Sequence, residues 1–195
     1  MQAPQKARWD VFILILRYLK SAPRKGLIYH PNRHMDLVAY SDANWAGSAS
    51  DRRSTMGYCT FVGGNMVSWG SKKQTTVARS SAEAEYRAME HTTAELIWLR
   101  SLLLQTSLLV SKLMKMFYDN QAVIYIASNP VYHEQIKHIE IDCQFVRDAV
   151  IKKLVETPFV SSSGQLADVL TKSLFAPNFC MCCNKLSMGD LYAPA

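Results

Sequence analysis

The apolar positions of this chain fall into a few readable periods. Between residues 5 and 21, Trp9, Phe12, Ile13, Leu16 and Leu19 recur on one helical stripe, and Pro23 follows as a stop. The stripe predicts a helix that packs this face on the rest of the chain. Beyond Leu27 the pattern shortens, and residues 37–42, 57–62 and 66–69 read as strands. Gly63-Gly64-Asn65 joins the last two and predicts a β-hairpin. The longest helical pattern runs from Ser81 to Gln105, with Tyr86, Met89, Leu96, Ile97, Leu99 and Leu103 on its apolar side. After it, residues 113–118 read as a buried strand, 121–128 as a short helix before Asn129-Pro130, and 136–154 as another helix. Residues 157–162 read as a strand that Pro158 confines to an edge or a strand start. Residues 165–174 would form a final helix.

Strands with a hairpin, a long helix, a strand, helices, a strand and a helix, in that order, predict an α/β domain with a mixed sheet covered by helices. At 195 residues and 49% apolar content the chain can bury one full core with extensions at its ends. The expected division is a basic leader over 1–34, a domain over 35–176 and a tail over 177–195. No apolar run reaches the roughly 18 residues of a membrane span, and the run from Val11 to Leu16 is cut short by Arg17. The five cysteines, three of them at Cys180, Cys182 and Cys183, form neither a disulfide framework nor a four-ligand zinc pattern. A soluble, intracellular and reduced protein is expected, cytoplasmic or nuclear.

Charge adds a direction. The net charge of +6 sits in residues 1–34, which hold seven Lys or Arg against Asp10, while the remainder is balanced. Within that remainder Arg52, Arg53, Lys72, Lys73 and Arg79 crowd a stretch with few acids. A polyanion lying across the N-terminal half and an ordinary solvated basic face both account for this pattern.

Four acids stand where an apolar chain should not place them: Asp42 at the end of one strand, Glu85 on the long helix, Asp119 at the end of another strand, and Asp168 within Gln165-Leu-Ala-Asp. Such groups cost free energy unless something pairs with them, and a divalent metal would do so. Each acid also has a structural reading. Ser80-Ser-Ala-Glu83 fits a capping box, which occupies Glu83 and leaves Glu85 over. Asp119 could be a helix N-cap, Asp42 the start of a turn, and Asp168 the partner of Lys172 four residues on. The case for metal chemistry rests on all four together.

The local words around them are Tyr40-Ser-Asp-Ala-Asn-Trp-Ala-Gly, Ser80-Ser-Ala-Glu-Ala-Glu-Tyr-Arg-Ala, Tyr118-Asp-Asn-Gln-Ala, Lys137-His-Ile-Glu-Ile-Asp and Gln165-Leu-Ala-Asp-Val-Leu-Thr-Lys. Over nearly the whole chain these resemble the ribonuclease H region of copia-type LTR-retrotransposon Pol polyproteins. The opening, with Trp9-Asp and Arg17-Tyr-Leu-Lys, resembles the end of the preceding reverse transcriptase, which makes residues 1–34 its tail and a basic linker helix.

The resemblance implies a ribonuclease H-like fold with a mixed five-stranded sheet and helices on both faces. It also implies hydrolysis of the RNA strand of an RNA:DNA hybrid with two Mg²⁺ ions, or Mn²⁺ in their place. Asp42 would bridge the ions, Glu85 and Asp119 would complete one site, and Asp168 the other. Arg52, Arg53, Lys72, Lys73 and Arg79 would meet the hybrid, and the polymerase part of a reverse transcriptase would be a partner. The chain departs from the pattern in places. Residues 161–168 lack the histidine-bearing loop of many relatives, Gln144 stands where close relatives carry histidine, and residues 106–112 lack a Gly or Pro turn. His133 and His138 read as surface or packing residues. The alternatives to an enzyme are a binding module without turnover and an inert remnant of a decayed element.

Overall fold

The computed structural model describes residues 6–108, 113–128 and 140–192. Helix α1 spans Lys6–Ser21 and strand β1 spans Lys25–Leu27; strands β2 (Leu37–Asn44), β3 (Thr55–Val62) and β4 (Asn65–Lys73) follow. The long helix α2 covers Ser81–Gln105, β5 Met114–Phe117, α3 Gln121–Ser128, α4 Glu140–Ile151 and β6 Val155–Glu156. A one-turn helix α5 (Asp168–Thr171), helix α6 (Ala176–Lys185) and strand β7 (Met188–Asp190) complete the chain.

The main sheet has five strands in the order β4-β3-β2-β5-β6. Strands β2, β3 and β4 pair antiparallel, whereas β5 lies parallel to β2 and β6 parallel to β5. The β3–β4 hairpin closes between Val62 and Asn65 through Gly63 and Gly64, both at positive φ. Two successive left-handed residues are what a tight two-residue hairpin turn requires, so the glycines dictate the turn.

Alternation along β2 divides the core in two. Leu37 and Ala39 face α2 and α4, where they meet Tyr86, Met89, Leu96, Met116 and Val146. Val38 and Tyr40 face the other side, against Cys59, Phe61, Leu166 and Leu186. Helices thus cover both faces, as a ribonuclease H-like α/β fold requires. Helix α2 begins at N-cap Ser80, whose hydroxyl accepts from the Glu83 N–H at 3.2 Å. The Glu83 carboxylate turns back to accept from the backbone N–H of Arg79 at 2.7 Å, one residue before the cap. After α2 the reversal expected to need glycine is made by Ser107 at φ 63.

Several expectations are corrected. The Trp9, Phe12 and Leu16 stripe does not pack on the domain: no residue of α1 is buried. Periodicity specifies an apolar face but not a partner for it. The strand expected over 157–162 is instead Val155–Glu156, with a single further bridge from Tyr118 to Phe159. Pro158, which has no N–H to give, breaks the ladder between them. The helix expected over 165–174 shrinks to Asp168–Thr171, because the buried side chain of Gln165 holds an irregular approach to it. The segment past 176 carries a helix and a strand. Helix α6 buries Cys182 and Cys183, and β7 pairs antiparallel with β1, matching Gly26 to Gly189. All five cysteines are free thiols. His133 and His138 lie outside the described residues. No helix among the described residues is long and apolar enough to cross a membrane.

Candidate metal centre

Parallel pairing of β2 and β5 brings two acids to one edge. Tyr40 and Phe117 are Cα partners; two residues further along each chain stand Asp42 and Asp119. Asp42 is not the start of a turn but a buried mid-strand residue opposite Gly57. Its place in the pleat points it to the face that carries α5. Asp119 is not the N-cap of α3. That role falls to Asn120, whose Oδ1 accepts from the N–H groups of Ala122 (3.1 Å) and Val123 (3.3 Å), leaving Asp119 to the strand edge.

Asp168 opens α5, and two features seat that turn against β2 and β3. Gln165 donates from Nε2 to the Ser41 carbonyl at 3.0 Å and accepts from the Ala167 N–H at 3.2 Å. Across from Asp42, Gly57 leaves the space that Leu170 and Thr171 occupy. Glu85 comes from the first turns of α2, on a different side from Glu83, which is held by Arg87 at 2.8 Å.

The outcome is that one carboxylate oxygen each from Asp42, Asp119 and Asp168 lies within 4.8 Å of the others. Glu85 is outside that triad but lines the same open cavity of about 540 Å³ with Asp42, Asp119 and Lys172. Its Oε2 is buried without a hydrogen-bond partner. Asp42 Oδ2 accepts from the Thr171 hydroxyl and lies 3.5 Å from Lys172 Nζ. Asp168 Oδ1 is 2.9 Å from the same ammonium, so the pairing with Lys172 anticipated as a structural reading does exist, and the acidic cluster forms as well. Asp119 Oδ2 accepts from Ser162 Oγ at 3.1 Å.

Crowding shows in the proton affinities. Burial, then repulsion from Asp42, Asp119 and Asp168, pushes the Glu85 carboxyl up to about 8, against a smaller lowering by Lys172. Burial also raises Asp168, partly offset by its hydrogen bond to Lys172. For Lys172 burial acts downward, but the hydrogen bond to Asp168 and the charges of Asp42, Asp168 and Asp119 outweigh it and raise the ammonium's pKa. Hard oxygen donors drawn together, with one buried acceptor left unpartnered, fit a hard divalent cation rather than a thiophilic one.

The basic residues lie on the β3–β4 side. Arg52, Arg53, Lys72, Lys73 and Arg79 are all exposed. Lys73 pairs with Asp51 at 3.3 Å, and Arg53 approaches the same carboxylate at 3.8 Å. Lys72 and Lys73 line a cavity of about 410 Å³ with Gln74, Thr75, Arg87 and His91. Gln144 is spent on Asp148, donating at 2.7 Å on the exposed side of α4. Sequence reasoning missed Ser162, Gln165 and Thr171, because their partners lie 43 to 129 residues away in the chain.

No family model matches the sequence. The chain is 41% identical over 174 residues to the retrovirus-related Pol polyprotein from transposon RE2 of Arabidopsis thaliana, a match covering 89% of this chain and 12% of that protein. It is 33% identical over 182 residues to the corresponding polyprotein from transposon TNT 1-94 of Nicotiana tabacum, covering 93% of this chain and 14% of that one. Among solved structures, LC11-RNase H1 in complex with RNA/DNA hybrid superposes with a TM-score of 0.53 at 13% identity, over 70% of this chain and 94% of that one. The foamy viral protease-reverse transcriptase in complex with RNA/DNA hybrid does so with a TM-score of 0.53 at 15% identity, over 86% of this chain and 26% of that one. The fold is thus a ribonuclease H-like α/β fold. The chain's homologues are copia-type retrovirus-related Pol polyproteins of transposons, of whose length the chain spans 12% to 14% in these matches.

Proposed function

We propose that this chain is a metal-dependent endonuclease hydrolysing the RNA strand of RNA:DNA hybrids, with two Mg²⁺ ions, or Mn²⁺, held by Asp42, Glu85, Asp119 and Asp168. The observation that carries the reading is the convergence of three aspartates, from β2, the end of β5 and α5, to within 4.8 Å, with Glu85 lining a cavity together with Asp42 and Asp119. When bound, such ions neutralise charge at the scissile phosphodiester and activate water for in-line displacement. The chain's own part is positioning. Asp42 is fixed in the central strand and oriented by Thr171, and Asp119 is oriented by Ser162. The open cavity mouth admits a backbone phosphate while Phe159 flanks it. Recognition would rest on duplex shape, phosphates and 2′-hydroxyls rather than base sequence. Arg52, Arg53, Lys72, Lys73 and Arg79 would neutralise phosphates of the hybrid. The polymerase part of a reverse transcriptase would be the covalent or docked partner.

The test is the purified chain with a labelled RNA:DNA hybrid, with and without Mg²⁺. Internal cuts in the RNA strand alone, dependent on the metal, are expected. A folded chain that leaves the hybrid intact at saturating Mg²⁺ and Mn²⁺ would refute the reading.

A further inference from the structure

We propose that Lys172 is a built-in competitor for the divalent cation: its ammonium holds the carboxylate cluster together while no ion is bound, and withdraws when one binds. This rests on the reading of the cluster as a metal centre.

Lys172 is the residue at which α5 ends. Its backbone is extended, at φ −141 and ψ 156, and its N–H still donates to the Asp168 carbonyl at 3.1 Å. One helical turn therefore places the lysine stem over Asp168, and the stem carries Nζ to 2.9 Å from Asp168 and 3.5 Å from Asp42. Two of the three clustered aspartates already give an oxygen to it. Among the described residues, Lys172 is the cation within ion-pairing distance of both Asp42 and Asp168.

Exposure is what makes the ammonium a competitor rather than a fixture. The side chains of Asp42 and Asp168 are 3% and 13% exposed, whereas that of Lys172 is 39% exposed. The acids cannot leave; the lysine can reach water by turning its own side-chain bonds. A divalent ion shared by Asp42 and Asp168 would take the oxygens the ammonium holds and repel it at close range. Lysine suits the task because its charge is a compact point on a flexible stem, without the planar double hydrogen bond that would tie an arginine in place. Loading is thereby set against a resident charge, so the centre fills only when free divalent ion is sufficient, and the three acids stay assembled in the meantime.

The experiment compares the full chain with K172M and K172R by Mn²⁺ titration calorimetry and by thermal melts with and without Mn²⁺. K172M is expected to bind Mn²⁺ at least tenfold more tightly than the parent chain. It should melt lower without metal and gain more on metal addition. K172R, which keeps the charge, should bind no more tightly than the parent. If K172M is unfolded without metal, Mn²⁺ should restore its circular dichroism at concentrations that leave the parent unsaturated, and failure to do so overturns the proposal. Equal or weaker Mn²⁺ binding by folded K172M, with the parent binding normally, overturns it while leaving the metal centre standing. Absence of Mn²⁺ binding in both overturns the metal centre and this inference with it.

Discussion

Gly57 faces Asp42 across the β2–β3 ladder, and a Cβ built on it would lie 2.7 Å from Thr171 Cγ2 and 2.8 Å from Leu170 Cβ. The missing side chain is thus the space into which α5 settles, and α5 carries Asp168. In Gly57→Ala the turn must move away from β3, separating Asp168 and Thr171 from Asp42. The expected cost in denaturant unfolding is about 1–3 kcal/mol, the range of an overpacked core site. Hybrid cleavage should fall with it. An alanine variant of parental stability and activity would show that α5 does not need this close approach.

Asp42→Asn and Asp119→Asn should each abolish hybrid cleavage while leaving the fold intact. Both acids sit in the cluster, and replacing either removes a negative ligand but not a packing element. Each change also relieves repulsion on Glu85, so the variants should melt no lower than the parent without metal. Near-parental cleavage by either variant, with unchanged circular dichroism, would remove that residue from the centre.

The two glutamates in the first turns of α2, Glu83 and Glu85, divide their work. Glu83 holds the backbone N–H of Arg79 and the side chain of Arg87, whereas Glu85 has a buried oxygen with no partner. Glu83→Gln should cost about 1 kcal/mol of stability, as cap changes do, and spare cleavage. Glu85→Gln should lose cleavage and keep stability. Exchanged phenotypes in a thermal melt and a cleavage assay would contradict the register of α2.

This contrast also shows what the sequence made legible. The Ser80 cap, the span of α2 and the Gly63-Gly64 turn follow from local chemistry, since their partners lie a few residues away. The four acids were legible because unpaired charge in apolar surroundings is conspicuous. The short α5 was not, because Gln165 is drawn out of helical pattern by a carbonyl 124 residues distant. Helix α6 carried a readable signal in Pro177 at its first turn and the apolar spacing of Cys182, Cys183 and Leu186, but cysteine-rich words invite a chemical reading over a packing one. The α1 stripe is the opposite case, a clear helical period whose face no described residue buries.

Stability without metal should fall as pH rises. The folded Glu85 carboxyl titrates near 8 against an ordinary value of 4.5, so between these values the folded state holds a proton that the unfolded state has lost. Its contribution is fully present below the unfolded value and is lost as pH climbs through about 8. Asp168, raised in the same direction, adds to the decline. Melts across pH 5 to 8 should drop steadily for the parent and more weakly for Glu85→Gln, the pH range being roughly that set by the two Glu85 values. A glutamine variant with the parent's slope would assign the dependence elsewhere.

The basic leader can be divided by structure. Helix α1 buries no residue and carries Lys6, Arg8, Arg17 and Lys20, whereas β1 pairs with β7, Arg24 lies 3.2 Å from Asp190, and the Asn65 amide donates to the His30 carbonyl at 2.9 Å. Removing residues 1–21 should therefore leave the melting temperature nearly unchanged, while removing residues 1–34 should lower it by stripping β7 of its partner. The shorter deletion isolates the charge question. If α1 neutralises hybrid phosphates, log affinity falls linearly with log salt by roughly 0.7 to 0.9 per phosphate contacted, because counterions are released. Deleting 1–21 should flatten that slope, and replacing Lys72 and Lys73 with glutamine should flatten it further and independently, since they lie on β4 beside the cavity of Arg87 and His91. A folded deletion variant with an undiminished slope would confine the electrostatic grip to the β4 side and leave α1 as a solvated extension.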